Sequence, residues 1–433
     1  MTKTKPSILL RSALTSNASD AAGNQLYDTI ISIIVVTSLG FSATQLGLLN
    51  ALGSLSFLLL VVPIGIVVDS WGASRIIVFS LAAKLVLAAT TLALLATDTL
   101  TAPATFVIVT LLGVTTVASE NAQTAIVPRI SSGKQEVTSF ISSMAAADRI
   151  AGIVAPGLAG ALAAISGGSI ALTLSVASFA VAGVAALRLL TVPRAEGAVT
   201  NEPDGGSDGT AKQKPALRTQ LLYGFAILKR NRFLLGTTLL VAAGNIGLAL
   251  GDSLEPILVL RELELGKLFY GLLGTIAAVS GIGATFVAAR VTSRFTMKRI
   301  FFVGALAQAS IATLPLLSLL VPQIAYVTMS LFSALWAITL TITNIAGAAY
   351  AAQAVSAESL GRAAAARRMI TMGSVPVAAL GSGALADIAG LAVPLVIWPV
   401  LTFAAALVFF AMTSGHEEHP GEHASASEAP KGP

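Results

Sequence analysis

The sequence predicts an all-α membrane protein with twelve transmembrane helices, arranged as two pseudo-repeat halves of six helices each. Composition gives the first reason. Of the 433 residues, 55% are hydrophobic and only 11% are charged, whereas roughly 25% of residues are charged in an ordinary soluble protein. The mean hydropathy of +0.84 excludes the soluble classes. The number of long apolar runs and a single long polar interruption give the other two reasons.

Twelve apolar runs are long enough to cross a bilayer, which requires about 20 mostly apolar residues per helix. They lie at residues 12–38, 44–68, 75–97, 102–127, 137–165, 169–191, 233–260, 267–290, 299–319, 323–349, 365–388 and 391–413.

The domain boundaries follow from the polar interruption after the sixth run. Its first part, 195–215, is Gly-rich and aperiodic, which is typical of a disordered linker. From Pro215 to Arg232 apolar and basic residues alternate at helical spacing, which predicts an amphipathic helix on the cytoplasmic membrane surface. The predicted domains are an N-terminal half (1–194), a linker with this helix (195–232), a C-terminal half (233–413) and a disordered cytoplasmic tail (414–433).

The orientation follows from the lysines and arginines. On this assignment of spans, 22 of the 26 lie on the side that carries both termini, and two lie on the opposite side. Because cytoplasmic loops carry the excess of positive charge, we expect both termini in the cytoplasm and the chain in the inner or plasma membrane. The N-terminal segment shows no small-residue cleavage site, so we expect no cleaved signal peptide.

Several kinds of chemistry are not expected. Cysteine is absent, which excludes disulfides and thiolate sites. No phosphate-binding G-x4-G-K-[ST] loop is present, so ATP is not expected to drive the protein. No nucleophile and base converge, so no enzyme is predicted, and neither is a cofactor. The histidines 416, 419 and 423 belong to the acidic tail, where a solvated segment is favoured over a metal site. The expected partners are a small-molecule substrate, protons and the bilayer, with no nucleic acid, and a monomer is expected.

Polar residues in span 1 are the first candidate site. Asn17, Asp20, Asn24 and Asp28 are spaced by 3, 4 and 4 residues, which places them on one face of a helix. Ionisable groups inside a bilayer cost about 2.5–3.5 kcal/mol each, so they are functional candidates by default. Either the stripe faces a cavity where Asp20 and Asp28 exchange protons, or each carboxylate hydrogen-bonds a neighbouring helix.

Spans 4 and 5 supply a second candidate group. Glu120 and Arg149 lie at similar depths in helices joined by a short loop, which predicts an ion pair between them. That pair is either opened by a proton or substrate, or permanent and structural. Lys84 in span 3 has no partner in its own span, so we expect its side chain to extend to the cytoplasmic surface.

The C-terminal half offers substrate-binding candidates, and Asn24 of span 1 joins them. Asn245 and Asp252 lie in span 7, and Trp336 and Asn344 lie in span 10. For Asp252 and its neighbour Glu255 a solvated outer vestibule is the alternative. The threonines of span 10 are expected to bond back to their own helix.

A charged turn joins spans 2 and 3, from Pro63 to Arg75, with the sequence P-I-G-I-V-V-D-S-W-G-A-S-R. It resembles the loop between helices 2 and 3 of the major facilitator superfamily, with Ser70 and Ala73 where that family has basic residues. The resemblance implies a gating role for Gly65, Asp69, Gly72 and Arg75.

Span 5 contains a second motif, A-G-I-V-A-P-G-L-A-G, at residues 151–160. Small residues permit close helix packing, and a proline permits a bend. The stretch looks like the G-P-x-x-G-G motif of antiporters in the same superfamily, which implies export and a gating role for Gly152, Pro156, Gly157 and Gly160.

Wider segments extend the resemblance over about 10–413. Residues 42–47, 126–129 and 383–387, together with Arg149 before the span-5 motif, are similar to the branch of macrolide-efflux proteins and enterobactin exporters. This implies proton-coupled export of small amphipathic molecules such as drugs, although Glu120 stands where that branch has an uncharged residue. From the residues themselves we expect Asp20, Asp28 and Glu120 to act as proton acceptors and Arg149 as their counter-ion. The alternatives are a proton symporter that imports a nutrient or siderophore, and a non-pumping lipid scramblase or transporter-like sensor.

Overall fold

The computed structural model describes residues 6–192, 225–226, 228–229, 231–354 and 366–414. Within these ranges the chain forms helices and connecting turns, without strands. The long helices are α1 (Pro6–Thr37), α2 (Ala43–Trp71), α3 (Ala73–Ala96), α4 (Ala102–Ile130), α5 (Lys134–Ser166), α6 (Ser169–Leu187), α7 (Arg232–Asp252), α8 (Lys267–Arg294), α9 (Met297–Ile311), α10 (Ala325–Ala354), α11 (Val375–Ala389) and α12 (Ala392–Thr413). After a turn α9 continues as Leu314–Leu320, and helical residues from Ala366 precede α11.

Eleven helical segments in the described part of the chain are long and apolar enough to cross a membrane. The helix α1 is not among them because the polar residues from Asn17 to Asp28 lower its hydropathy, although its 32 residues exceed the length that a bilayer requires. It packs against α5 and α6 as an integral part of the bundle. The predicted all-α membrane fold is therefore confirmed, and twelve spans agree with it.

The predicted linker and tail lie largely outside the described residues. Six residues of the predicted amphipathic helix are described, and two of them, Phe225 and Leu228, pack against Leu234 and Ala366. The division into four domains stays a prediction.

The turn between α2 and α3 is shorter than the sequence suggested. Gly65 and Asp69 lie inside α2, which runs on to Trp71, so their placement in a loop was wrong. Gly72 alone makes the turn, with a φ of +92° that glycine adopts without steric cost. A Cβ on Gly65 would meet nothing within 4 Å, so this glycine serves no close helix approach here.

The chain is irregular beyond the end of α7, around Pro256. The helix stops at Asp252, and a short helix (Glu255–Ile257) and a π-helical turn (Leu258–Glu262) follow. Proline fits the first turn of the short helix because the N–H that it lacks would have no partner there. The chain is thereby turned toward α1, which it contacts.

The N-terminal half (α1–α6) and the C-terminal half (α7–α12) meet along two helix pairs, α2 with α11 and α5 with α8. Glycines allow the backbones to touch. A Cβ on Gly383 of α11 would collide with the Ala43 carbonyl of α2, and one on Gly160 of α5 would lie 2.6 Å from the Lys267 carbonyl of α8. Both contacts lie at the end of the bundle remote from the termini, which we call the outer end. The halves are therefore closed against each other at the outer end.

Within the C-terminal half, Trp398 of α12 is fully buried and fits against two glycines of α7. A Cβ on either Gly247 or Gly251 would collide with the indole ring. The ring also packs edge-on against Trp336, with ring centroids 4.9 Å apart. The absence of side chains at these two positions thus fixes how closely α7 and α12 approach.

We expect Gly247→Ala and Gly251→Ala each to destabilise the protein, because overpacking a dense interior costs about 1–3 kcal/mol. The unfolding temperature in detergent should fall for both variants. Gly244→Ala is the matched control on the same helix, since its Cβ would lie 3.9 Å from the nearest atom, Oε1 of Gln308. Equal unfolding temperatures for all three variants would contradict the assigned packing.

Candidate functional site

A buried ion pair lies at the centre of the N-terminal half. Nζ of Lys84 in α3 donates to Oδ1 of Asp20 in α1 at 2.7 Å and to Oγ of Ser119 in α4 at 2.9 Å. Lys84 is 0% and Asp20 2% exposed. A charge in a membrane interior must be paired or bonded, and this pair meets that requirement across three helices.

Amide and hydroxyl groups of α4 complete the bonding of the Asp20 carboxylate. Its Oδ2 accepts from the Ser119 hydroxyl at 3.0 Å and from Nε2 of Gln123 at 3.1 Å. Asn17, one turn before Asp20, donates to Oε1 of Gln123 at 3.0 Å. We call Asn17, Asp20, Lys84, Ser119 and Gln123 the buried network.

The predicted extension of Lys84 to the membrane surface was wrong. The ammonium group stays inside the bundle, 5.7 Å from the centroid of the Phe179 ring. Its counter-ion belongs to another span, and no spacing along α3 points to it.

The polar stripe of span 1 does not face a single cavity. Asn17 and Asp20 are buried, whereas Asn24 is half-buried and Asp28 is exposed. Nδ2 of Asn24 lies 3.5 Å from Oδ1 of Asp20, which links it weakly to the buried network. The stripe is therefore divided between a bonded inner part and an open part around Asp28.

The structure does not join Glu120 to Arg149, so the predicted ion pair was wrong for this conformation. Both side chains are exposed, and the only ion pair within 4 Å among the described residues is Lys84–Asp20. The prediction assumed that consecutive helices pack closely, but α5 packs mainly on α1 and α8, and α4 on α2 and α3. Glu120 instead lies within electrostatic range of Asp148 and of Arg368 in the C-terminal half.

A second polar cluster spans both halves toward the outer end. Tyr270 of α8 places its hydroxyl close to the Ser32 hydroxyl of α1, within electrostatic range of Asp28, Asp252 and Glu255. Asp252 is exposed and Glu255 half-buried. Asp28 lies eight residues, about 12 Å of helix, before Val36, which lies at the outer end of α1. Tyr270 thus lies between Asp28 of the N-terminal half and the acids of the C-terminal half, within electrostatic range of each.

Three substrate-binding candidates, Asn245, Trp336 and Asn344, line one cleft between α7, α9 and α10. Its volume is about 30 Å³, which suits one or two waters or a small polar group. Trp336 is only 7% exposed, and its Nε1 has no hydrogen-bond partner. Asn245 donates to the Thr371 carbonyl at 2.9 Å. The other two substrate-binding candidates, Asn24 and Asp252, do not line this cleft.

Gln308 of α9 lines the same cleft and was missed by the sequence analysis. The signal was available, because an amide within a membrane span is costly unless it has a partner. The threonine prediction for span 10 holds at Thr339 and Thr343, whose hydroxyls donate to carbonyls of their own helix at 2.9 Å.

The gating candidates of α5 lie in the contact with α8. A Cβ on Gly274 of α8 would lie 2.9 Å from Pro156, and Oγ1 of Thr275 donates to the Ile153 carbonyl at 2.6 Å. Gly157 and Gly160 face the same helix, whereas Gly152 meets nothing within 4 Å.

The gating candidates between α2 and α3 lie at the end that carries the termini. Asp69 and Arg75 are exposed there, and neither forms an ion pair with another described residue.

Two further contacts between the halves were not predicted. The Asp387 carboxylate of α11 accepts from the backbone N–H of Ala43 at 3.0 Å and of Thr44 at 2.9 Å, in the first turn of α2. Arg261 donates to the Val36 carbonyl in the last turn of α1 at 3.0 Å. Both pairings match the helix dipole, which favours anions at N-termini and cations at C-termini. We call Asp387 and Arg261 with these partners the outer latch.

The sequence matches the model of a known protein family. A family model described as Major Facilitator Superfamily matches residues 13–254. A search among curated proteins gave no match.

Several solved structures share the fold. A mutant of the nucleoside transporter NupG aligns with a TM-score of 0.71 and 14% identity, over 93% of this chain and 99% of that one. A bacterial homolog of the human lysosomal transporter Spinster, inward-facing and unoccupied, gives 0.66 and 16%, over 97% and 100%. A POT family transporter in complex with 5-aminolevulinic acid gives 0.68 and 11%, over 94% and 96%.

We expect Lys84→Met and Asp20→Asn each to lower stability strongly, because removing one partner of a buried ion pair costs about 3–5 kcal/mol. The double variant should lose less than the sum, since no uncompensated charge remains. Thermal unfolding of the wild type, the two single variants and the double variant in detergent measures the interaction free energy between Lys84 and Asp20. Lys134→Met, at an exposed position, is the control. A double variant whose loss equals the sum would show that the two residues do not interact.

Proposed function

Because the chain belongs to the Major Facilitator Superfamily, we propose that this membrane transporter is a proton-coupled exporter of small amphipathic molecules such as drugs. It would work as an antiporter by alternating access. The observation that carries the proposal is the position of the antiporter-like stretch of α5, whose Pro156 and Gly160 pack directly against α8 of the other half. That contact must open and close in every cycle, so a motif there bears on the transport mode.

The expected orientation of the chain in the membrane supports a role for this conformation in taking up substrate. With both termini in the cytoplasm, as the lysine and arginine distribution favours, the closed outer end faces outward. Glu120 and Arg368 of opposite halves then lie in the inward part with exposed side chains. An exporter takes up its substrate from this side.

We assign proton coupling to carboxylates that are accessible from the space between the two halves. Asp28 is the first candidate, because it is exposed and lies near Tyr270 of the other half. Glu120 is the second. Asp20 can take a proton only if its bond to Lys84 opens, so it is the third. Arg149 remains a counter-ion for Glu120 only in a conformation that brings α4 and α5 together.

Substrate contacts are assigned to two regions. The cleft of Asn245, Trp336 and Asn344 offers uncharged hydrogen-bonding groups beside an aromatic ring. Asp252, Asp28 and Glu120 add negative charge, and Asn24 lies between Asp20 and Asp28 on α1. Aromatic surface together with carboxylates suits amphipathic cations.

Import is the second candidate. The cleft in the C-terminal half contains amides, a hydroxyl and an indole N–H but no charge, which also suits an uncharged polar group of a nutrient. A proton symporter would then use the same carboxylates in the opposite direction.

We expect energised cells that express the protein to export ethidium, and we expect a protonophore to abolish the export. Asp28→Asn should lower the efflux rate at least tenfold, and Glu120→Gln should lower it less, because Asp28 is the first candidate for carrying the proton and Glu120 the second. Asp98→Asn, in the exposed turn between α3 and α4, should export as the wild type does. Efflux that survives the protonophore would exclude proton coupling, and substrate accumulation in energised cells would favour import.

We expect Asp387→Asn and Arg261→Gln to open the outer end. A hydrogen bond to a charged group contributes about 1.5–3 kcal/mol, so each change should shift the ratio of closed to open forms roughly 10- to 100-fold. The chain has no cysteine, so cysteines introduced at Asp98 and Gln323, in outer turns of opposite halves, can be spin-labelled selectively. Electron paramagnetic resonance should then show a longer distance between the labels.

Glu264→Gln, at an exposed position in the same outer segment as Arg261, is the matched control for the outer latch. A distance distribution that is unchanged in both latch variants would show that the glycine contacts alone hold the outer end closed.

A further inference from the structure

A groove lies between α1 and α6 at the end that carries the termini. The two helices pack tightly near their middles, where the Ser175 hydroxyl donates to the Gly23 carbonyl at 2.9 Å and a Cβ on Gly23 would lie 2.7 Å from the Phe179 ring. Toward the terminal end they leave a groove of about 460 Å³ with Arg11 and Arg188 among its lining residues.

The walls of this groove are apolar and face outward from the bundle. Val181 and Val184 of α6 line it and are 51% and 68% exposed. Exposed apolar side chains on the outer surface of a membrane helix contact acyl chains, because the hydrocarbon core surrounds the helix there.

The two arginines lie at the same end of the groove. Arg11 is twelve residues from Gly23, about 18 Å along α1, and Arg188 is nine residues from Phe179, about 13 Å along α6. Both side chains are exposed, and neither forms an ion pair with a described residue. Two guanidinium groups that have no carboxylate partner among the described residues therefore lie where an apolar groove reaches the membrane surface.

We propose that this groove binds one anionic phospholipid, with its phosphate between Arg11 and Arg188 and an acyl chain along Val181 and Val184. Guanidinium groups match phosphate oxygens in a bidentate geometry, and basic pockets between membrane helices on the cytoplasmic side recognise acidic head groups. The hydroxyls of Ser12 and Thr15, which also line the groove, lie beside the ester region of such a lipid.

A lipid fits this site better than a soluble anion does. A free phosphate would leave the apolar walls unused, whereas a phospholipid satisfies both the charged end and the hydrocarbon-facing part. The lipid would brace α1, which carries Asp20 and Asp28, against α6.

The test uses the full chain purified in detergent and native mass spectrometry with phosphatidylglycerol or phosphatidylcholine. We expect one retained phosphatidylglycerol and no retained phosphatidylcholine. Arg11→Gln and Arg188→Gln should each weaken phosphatidylglycerol binding about fivefold, from the ~1 kcal/mol that a basic residue near the membrane surface contributes. Arg129→Gln, at an exposed arginine at the same end of α4, should bind as the wild type does.

Two further arms keep the proposal falsifiable. Val184→Trp fills the groove with both arginines intact and should lower phosphatidylglycerol binding, whereas Val107→Trp on the exposed surface of α4 should not. Competition by millimolar inorganic phosphate would show an anion site and overturn the lipid assignment. Equal retention of both lipids, or unchanged binding in the double arginine variant, would also overturn it.

Discussion

The bilayer supplies no water to a polar group, and this constraint decides which contacts in the protein are permanent. The side chains of Lys84 and Asp20 are almost completely buried. The hydrogen bonds that solvent would otherwise give come from Ser119, Gln123 and Asn17. Opening the pair would leave two buried charges without partners, which costs several kcal/mol. The buried network therefore holds α1, α3 and α4 as one body, and the helices that surround it move together.

The contacts between the two halves are of a different kind from those of the buried network. At α2–α11 and α5–α8 the surfaces are glycine, alanine and proline, so the attraction comes from close backbone packing and few directional bonds. Such surfaces separate without exposing a charge. The outer latch adds two directional contacts, and both lie at helix ends near the outer surface, where water can replace the partner once the halves separate.

The sequence predicts much of the fold because span length and hydropathy are local properties. Each predicted run corresponds to described helical residues, but the seventh, ninth and eleventh runs are each broken by a turn, which run length and hydropathy do not predict. The turn at Gly72 was predicted, but Gly65 was wrongly placed in that turn. A glycine within an apolar run does not end a membrane helix, because the backbone N–H and C=O groups would find no other hydrogen-bond partner in the bilayer.

The site was less predictable because its contacts join distant parts of the chain. Asp20 was identified as important, but its partner Lys84 lies 64 residues away. Glu120 and Arg149 were paired on depth alone, and the actual packing of α5 on α8 separates them. Asp387 resembles a solvated acid at the end of a span until the fold places the first turn of α2 beside it.

The polar residues of α1 show how one helix can serve both a fixed and a moving role. Asn17 and Asp20 are hydrogen-bonded within the N-terminal half, whereas Asp28, two turns further along, is exposed and lies near Tyr270 of the C-terminal half. Because the buried network fixes α1 to α3 and α4, a change of charge at Asp28 acts on the whole N-terminal half and not on one side chain. Tyr270 of the C-terminal half lies within electrostatic range of Asp28, so a change of charge at Asp28 acts across the boundary between the halves as well as within α1. The buried network and Asp28 thus give one helix a fixed inner part and an exposed part beside the other half.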